Sequence, residues 1–185
     1  MGIALADAAA EYGADVVLVL GPVNLLPSNP DVTVIKVITA AEMADECISR
    51  FKICDIAILS AAVADYTPST VHKEKIKKQE GELILKLKPT VDIARETGKI
   101  KKTSQLLAGF ALETDKGMAS AERKLKQKNL DIIILNSLKD EGAGFNFDTN
   151  RITIIDKYNN IDKFELKTKD ETARDILDKI VSMII

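Results

Sequence analysis

CDIAILSAAVADYTPSTVHKEKIKK, residues 54–78, is the stretch on which the fold turns. It opens as an apolar run from Ile56 to Leu59. It then passes through the small residues Ser60, Ala61, Ala62, Val63 and Ala64, reaches Asp65 and Tyr66, and breaks at Pro68. A short run with no polar alternation reads as a strand buried on both faces, as in a parallel sheet. Small residues at its end let a ligand come close to the backbone. An acid beside the strand end, followed by Lys73, Lys75, Lys77 and Lys78, suits a phosphate-rich ligand carrying a metal. A core strand followed by a solvated charged loop has the same composition, and the stretch alone does not choose between them.

Its neighbours extend the pattern. Residues 1–12 have an apolar helical face, with Gly13 as the stop. A helix that opens a chain without an N-terminal cap is unusual. Residues 15–20 (DVVLVL) and 32–37 read as strands, and Thr39 with Glu42 forms a capping box that opens a helix to about Phe51. Residues 82–88 (ELILKLK) alternate like a half-exposed strand, and with 63–81 they suggest a flap leaving the main sheet. A short helix over 91–97 follows Pro89-Thr90. Residues 106–110 (LLAGF) and 131–135 (DIIIL) are further buried strands, separated by a helix over 117–128. Residues 151–155 and 163–167 predict a hairpin turning at Asn159-Asn160. Thr168 with Glu171 is a second capping box before the last helix. Strands alternating with helices predict an α/β fold: three layers, Rossmann-like, with a mostly parallel sheet, helices on both faces, and a flap or hairpin besides. The length of 185 residues fits a single nucleotide-binding domain with 63–88 as its flap.

Composition narrows the function. A net charge of −2 gives no nucleic-acid footprint. No apolar run reaches the roughly 18 residues of a membrane span, and no signal peptide is visible, so a cytoplasmic protein is expected. Cys47 and Cys54 have neither CxxC spacing nor ligand-rich neighbours and read as reduced thiols. His72 is the single histidine, and its charged surroundings read as surface, which disfavours histidine-based metal sites and Ser-His-Asp chemistry.

In such sheets ligands sit at the carboxyl ends of the strands. The ends with candidate chemistry are 60–65, 109–114, Asn136 and Gly21-Pro22. The lysines cluster at 73–78 and 123–128. Lys124 and Lys128 share one helical face, so the clusters can hold a triphosphate or be solvated faces. Phe110 sits where a ring can stack on a base, or it is a core residue. Asp65 and Asp92 can serve Mg²⁺ or ribose, and Asp92 can equally serve the first turn of its helix.

Together 61–66 (AAVADY), 75–78 (KIKK), 89–93 (PTVDI), 109–114 (GFALET) and 124–131 (KLKQKNLD) closely resemble the phosphopantothenoylcysteine synthetase domain. In most bacteria this is the C-terminal half of a bifunctional flavoprotein of coenzyme A synthesis. Order and spacing match over essentially the whole chain, and 142–148 (GAGFNFD) with Asn150 fit the family's late loop. The resemblance implies a ligase that joins 4′-phosphopantothenate to cysteine with CTP and Mg²⁺, through an acyl-cytidylate. It implies nucleotide contacts from Ser60, Ala61, Asp65, Lys75, Val91, Asp92, Ile93, Ala94, Phe110, Lys124 and Lys128. It implies substrate contacts from Gly2, Ala61 and Ala62, with Lys75 as the catalytic lysine. It also implies a homodimer, no flavin in this domain, and a flavin decarboxylase domain fused to it or paired with it. Metal ligands are not identified.

Two departures stand out. The family's Pro-Asp at the helix start is Val91-Asp92 here. The family's opening strand and Gly-rich segment, with its Asn-x-Ser-Ser-Gly-Lys pattern, would lie just ahead of Met1-Gly2. That segment holds the asparagine of acyl-cytidylate formation, so the chain as given is expected to bind CTP but to turn over poorly. Two alternatives are a nicotinamide-dependent oxidoreductase and a binding module without turnover. The first is disfavoured because no acid ends the second strand, where a ribose partner belongs.

Overall fold

The structure is a computed structural model that describes residues 1–71, 74–77, 81–113, 117–137 and 147–184. The readings placed on His72, Lys73, Lys78, Thr114 and most of the 142–148 loop lie outside those residues. In chain order the elements are α1 (Gly2–Glu11), β1 (Val17–Leu20), β2 (Thr33–Lys36), α2 (Ala40–Phe51), β3 (Ile56–Leu59), β4 (Tyr66–Pro68), β5 (Leu87–Pro89) and α3 (Ile93–Ile100). They continue with β6 (Leu106–Glu113), α4 (Gly117–Gln127), β7 (Ile132–Ser137), β8 (Thr149–Asn150), β9 (Ile152–Asp156), β10 (Ile161–Lys163), β11 (Lys167–Thr168) and α5 (Lys169–Ser182).

The main sheet has the order β10-β9-β7-β6-β3. β3, β6 and β7 run parallel, and β9 and β10 close one side antiparallel. Successive side chains of the central strands go to opposite faces. Leu106, Ala108, Ile132, Ile134, Ile152 and Ile154 meet α1 and α5 through Leu5, Ala8, Ala173, Ile176 and Ile180. Leu107, Ile133, Leu135 and Ile155 meet α4 and α2 through Ala121, Leu125 and Phe51. Double-sided burial explains the unbroken apolar runs, since each fully buried Leu or Ile is worth about 1.5–3 kcal/mol.

β1 and β2 form a separate parallel pair. No ladder joins them to β3, yet Val19 of β1 and Leu59 of β3 share one apolar cluster with Val37, Met43 and Ile93. Asp7 of α1 holds the loop after β1 by accepting from the Ser28 and Asn29 amides at 3.0 and 2.9 Å. The expected flap takes the form of β4 paired antiparallel to β5. Its strand is shorter than 82–88 suggested: only Leu87–Pro89 is paired, and Leu83, Ile84 and Leu85 lie exposed outside any ladder. The terminal hairpin also differs. β9 pairs with 161–163, turning at Asn159 (φ +66°), while Lys167 and Thr168 pair instead with β8. Both capping boxes are present, at Thr39–Glu42 and Thr168–Glu171.

The amino end of the sheet is fastened by charge. The side chain of Asp131, 4% exposed, accepts from Lys101 Nζ at 2.8 Å, Lys157 Nζ at 3.0 Å and the Leu107 amide at 2.8 Å. Burial would push its carboxyl up, but the bonds from Lys101, Leu107 and Lys157 outweigh this and hold it below the usual carboxylate range. A carboxyl depressed in the folded state stabilises above its unfolded pKa of about 3.9 and loses that contribution as pH falls through the folded value. Thermal melts across pH should therefore show stability falling below about pH 4. Asp131→Asn should flatten that slope and cost about 3–5 kcal/mol near neutrality, because Lys101 is left buried without its partner. A variant as stable as the parent, with the parent's acid slope, would refute the anchor.

Candidate functional site

The groups expected to bind a ligand come from six segments, and the fold carries most of them to the carboxyl end of β3. Ser60 and Ala61 follow β3 directly. The start of α1 lies against them: a Cβ on Gly2 would come within 2.8 Å of Ser60 Oγ. Glycine here lets the helix start and the strand end approach closely. α1 has no side-chain cap, so its first amides have no internal partner. Ala62 and Asp65 are exposed just beyond, and no side-chain partner of Asp65 occurs among the described residues.

Thr90, which the sequence did not single out, fastens α3 to this place. Its amide donates to Asp65 O at 2.9 Å and its Oγ1 to Ala64 O at 2.6 Å. α3 thus starts beside the end of β3. Asp92 caps it, accepting from the Arg95 amide at 3.1 Å, which realises the helix-start role. Of the turn 91–94, Ile93 and Ala94 point into the apolar clusters and can offer a ligand only their backbone, whereas Val91 and Asp92 are exposed.

Asp92 also pairs with Lys128, Nζ lying 2.9 Å from Oδ2. The two side chains are 44% and 30% exposed, so this pair is half screened. Burial raises the Asp92 carboxyl, but the hydrogen bonds from Lys128 and the Arg95 amide prevail and hold it low. Lys124, one turn earlier on α4, is half-buried and has no ion-pair partner among the described residues. Lys75 is exposed in the irregular segment after β4, and among the described residues no hydrogen bond or ion pair joins it to the other site residues.

Phe110 is not at a strand end, because β6 continues to Glu113. Gly109 is level with Leu59, so Phe110 falls alongside Ser60, and its ring packs against the core cluster beneath α1 and α5. Among the described residues, two buried acceptors have no partner: Asn136 Oδ1, near the carboxyl end of β7, and Asn150 Oδ1, whose amide nitrogen makes a 3.7 Å contact to Met1 Sδ. Asn136 was legible as a strand end; nothing local marked Asn150 as buried. Mg²⁺ suits such a site, since it needs only one or two carboxylates together with ligand phosphates. Asp65 offers a carboxylate without a side-chain partner, and no cluster of three acidic, His or Cys ligands occurs among the described residues. None of the helices formed by these residues is long and apolar enough to cross a membrane.

A profile described as the DNA/pantothenate metabolism flavoprotein C-terminal domain matches residues 1–184. The chain is 44% identical over 183 residues to the coenzyme A biosynthesis bifunctional protein CoaBC of Bacillus subtilis (strain 168), covering 99% of this chain and 45% of that protein. It is 63% identical over 184 residues to a protein named cysteine/cysteine sulfinic acid decarboxylase from an unknown prokaryote, covering all of this chain and 51% of that one. It thus spans about half the length of these relatives. The crystal structure of the C-terminal domain of a coenzyme A biosynthesis bifunctional protein CoaBC superposes with a TM-score of 0.81 at 39% identity, over 98% of this chain and 82% of that one. With its mostly parallel sheet, its five helices among the described residues and these matches along its length, the chain belongs to the family of DNA/pantothenate metabolism flavoprotein C-terminal domains.

Proposed function

We propose that this chain belongs to the ligase half of a coenzyme A biosynthetic protein, the half that joins 4′-phosphopantothenate to cysteine at the expense of CTP. The observation that carries the reading is the gathering of Ser60, Ala61, Asp65, the Asp92-capped helix start and Lys128 at one end of the sheet, in a chain related along its length to CoaBC C-terminal domains.

In the proposed reaction, a carboxylate oxygen of phosphopantothenate attacks the α-phosphorus of CTP. The new O–P bond replaces the bond to pyrophosphate, which leaves. The cysteine amine then attacks the activated carbonyl; the C–N bond forms, the C–O bond to CMP breaks, and the amine gives up its proton. The first step brings two anions together, so charge must be neutralised where it develops. Lys124 and Lys128 serve the triphosphate from α4, and Lys75 comes from the exposed segment after β4 to act on the reacting phosphate. Asp65 would hold Mg²⁺ together with the phosphates, and the ion would supply neutralisation of phosphate charge. The amides of Ile93 and Ala94 are oriented donors, and Phe110 borders the base through its edge and backbone. Gly2, Ala61 and Ala62 leave room for the pantothenate arm. The reaction needs no flavin in this domain, and a fused or paired flavin decarboxylase would act on its product. A cytoplasmic setting supplies CTP and cysteine.

The relative named a decarboxylase favours a second reading for the longer protein, release of CO₂ from cysteine or its sulfinic acid. One assay separates the two. Pyrophosphate released from CTP, dependent on phosphopantothenate with cysteine omitted, marks the ligase; labelled CO₂ from carboxyl-labelled cysteine, with no need for CTP, marks the alternative. CTP should support pyrophosphate release and ATP should do so poorly; equal rates with both would overturn the choice of nucleotide.

Lys75→Gln in a turnover-competent protein should lower kcat by about 10²–10³, the loss of one charge stabiliser, while the melting temperature stays unchanged. An unaltered kcat would return Lys75 to a solvated loop. Finally, Leu83, Ile84, Leu85 and Leu87 are all exposed around the β4–β5 pair. A homodimer through this flap would cover them. Sedimentation at tens of micromolar should report a dimer, and Ile84→Asp should dissociate it; a monomeric parent would count against this assembly.

A further inference from the structure

Lys128 is held from both of its ends by α3. Its carbonyl oxygen lies against Gly98, in the last turn of that helix. A Cβ built on Gly98 would sit 1.9 Å from Lys128 O and 2.8 Å from its carbonyl carbon. Asn129, with φ +52°, returns a hydrogen bond from Nδ2 to Gly98 O at 2.9 Å. The side chain of Lys128 meanwhile reaches Asp92, the residue that caps the start of the same helix. Gly98 and Asp92 are six positions apart, about 9 Å along a helix. A lysine side chain is long enough for that gap only when nearly extended. The helix therefore sets where the ammonium stands by fixing where the backbone of Lys128 begins.

The two fixed points belong to different ends of the sheet. Asp92 is beside the end of β3, fastened by Thr90. Gly98 and Asn129 lie near the amino end, where α4 gives way to β7 and Lys101 reaches Asp131. A side chain at position 98 would part α3 from the end of α4 by more than about 1 Å. The obstruction is backbone, which cannot turn aside as a flexible side chain would. The ammonium would then fall short of the site by a similar amount, enough to lengthen a good hydrogen bond beyond its useful range.

We infer that Gly98 and Asn129 are positioning residues for Lys128: the close approach of Gly98 to the Lys128 carbonyl, held by the Asn129 side chain on Gly98 O at the far end of α3, sets the reach of the ammonium towards the nucleotide phosphates. This rests on the reading of Lys128 as a phosphate ligand. Neither residue touches the nucleotide. Asp92 acts as the resident counter-ion that keeps the side chain extended before a phosphate replaces it.

The test is a pair of double-mutant cycles read by calorimetry with CTP and Mg²⁺, with melting temperature followed alongside. Lys128→Gln should weaken CTP about tenfold or more, the loss of one charge-assisted hydrogen bond. Gly98→Ala should weaken it comparably in the Lys128 background, yet by less than about twofold when added to Lys128→Gln. If Gly98→Ala weakens CTP by the same factor in both backgrounds, or leaves it unchanged, the positioning role is overturned. If instead Lys128→Gln binds CTP as the parent does, the phosphate-ligand reading itself has failed. Should Gly98→Ala not fold, Asn129→Gly carries the same cycle, because glycine accepts the positive φ while losing the bond to Gly98 O. It should weaken CTP severalfold only where Lys128 is present, and an equal effect without Lys128 would overturn the inference. A drop in melting temperature alone, with affinity intact, would mark both residues as purely structural.

Discussion

Asp131 ties β6, the segment after α3 and the turn after β9 to the start of β7. A buried carboxylate is costly unless every acceptor direction is used, and this one takes two ammonium groups and an amide. Its own amide donates to Leu107 O at 2.8 Å, and its carbonyl accepts from the Lys157 amide at 2.8 Å, so the backbone on both sides is committed as well. The strands cannot slip past one another without breaking this knot. The arrangement of groups at the opposite end of the sheet depends on it, because parallel strands in fixed register deliver their last residues to fixed places. A second acid, Asp156, does similar work: burial would raise it, but Asn160, Lys179 and two turn amides hold it low.

The two ends of the sheet have accordingly taken different burdens. At the amino end charges are paired, and Asp131 and Lys101 are mostly buried, so they contribute to stability. At the carboxyl end they are exposed or half-exposed, and Lys75 and Lys124 have no ion-pair partner among the described residues. The pair of Asp92 and Lys128 connects the two regimes. α3 is the element that spans them, capped beside the end of β3 and packed at its other end against the backbone of Lys128 and the side chain of Asn129.

Much of this was legible in the sequence, for physical reasons that differ by element. The apolar runs at 56–59, 106–110 and 131–135 announced strands buried on two faces, because nothing polar can be tolerated on either. The capping boxes fixed the starts of α2 and α5, since both partners lie within one turn. The helical spacing of Lys124 and Lys128 was also plain. The partnership of Lys128 with Asp92 was not, because it joins residues brought together only by packing. Phe110 could be placed on a strand but not on a face, since the extension of β6 to Glu113 depends on its pairing with β7. The alternation of 82–88 suggested a longer strand than forms, because a ladder needs a partner as well as a pattern. The closeness of Gly98 to Lys128 left no local trace at all: a lone glycine near a helix end reads as a stop.

The separate β1–β2 pair has a consequence for how the molecule opens. Each backbone ladder in the main sheet is reinforced by neighbours, whereas β1 and β2 share one four-residue register, and side chains alone join them to the rest. Elements with few shared ladders open at lower free energy than the core that supports them. Amide exchange should therefore be faster at β1 and β2 than at β7, whose two flanks are both paired. Breathing of that outer pair loosens Val19 from Leu59 and Ile93, and so reaches the strand end beside Ser60 and the first turn of α3 without disturbing the register held at Asp131.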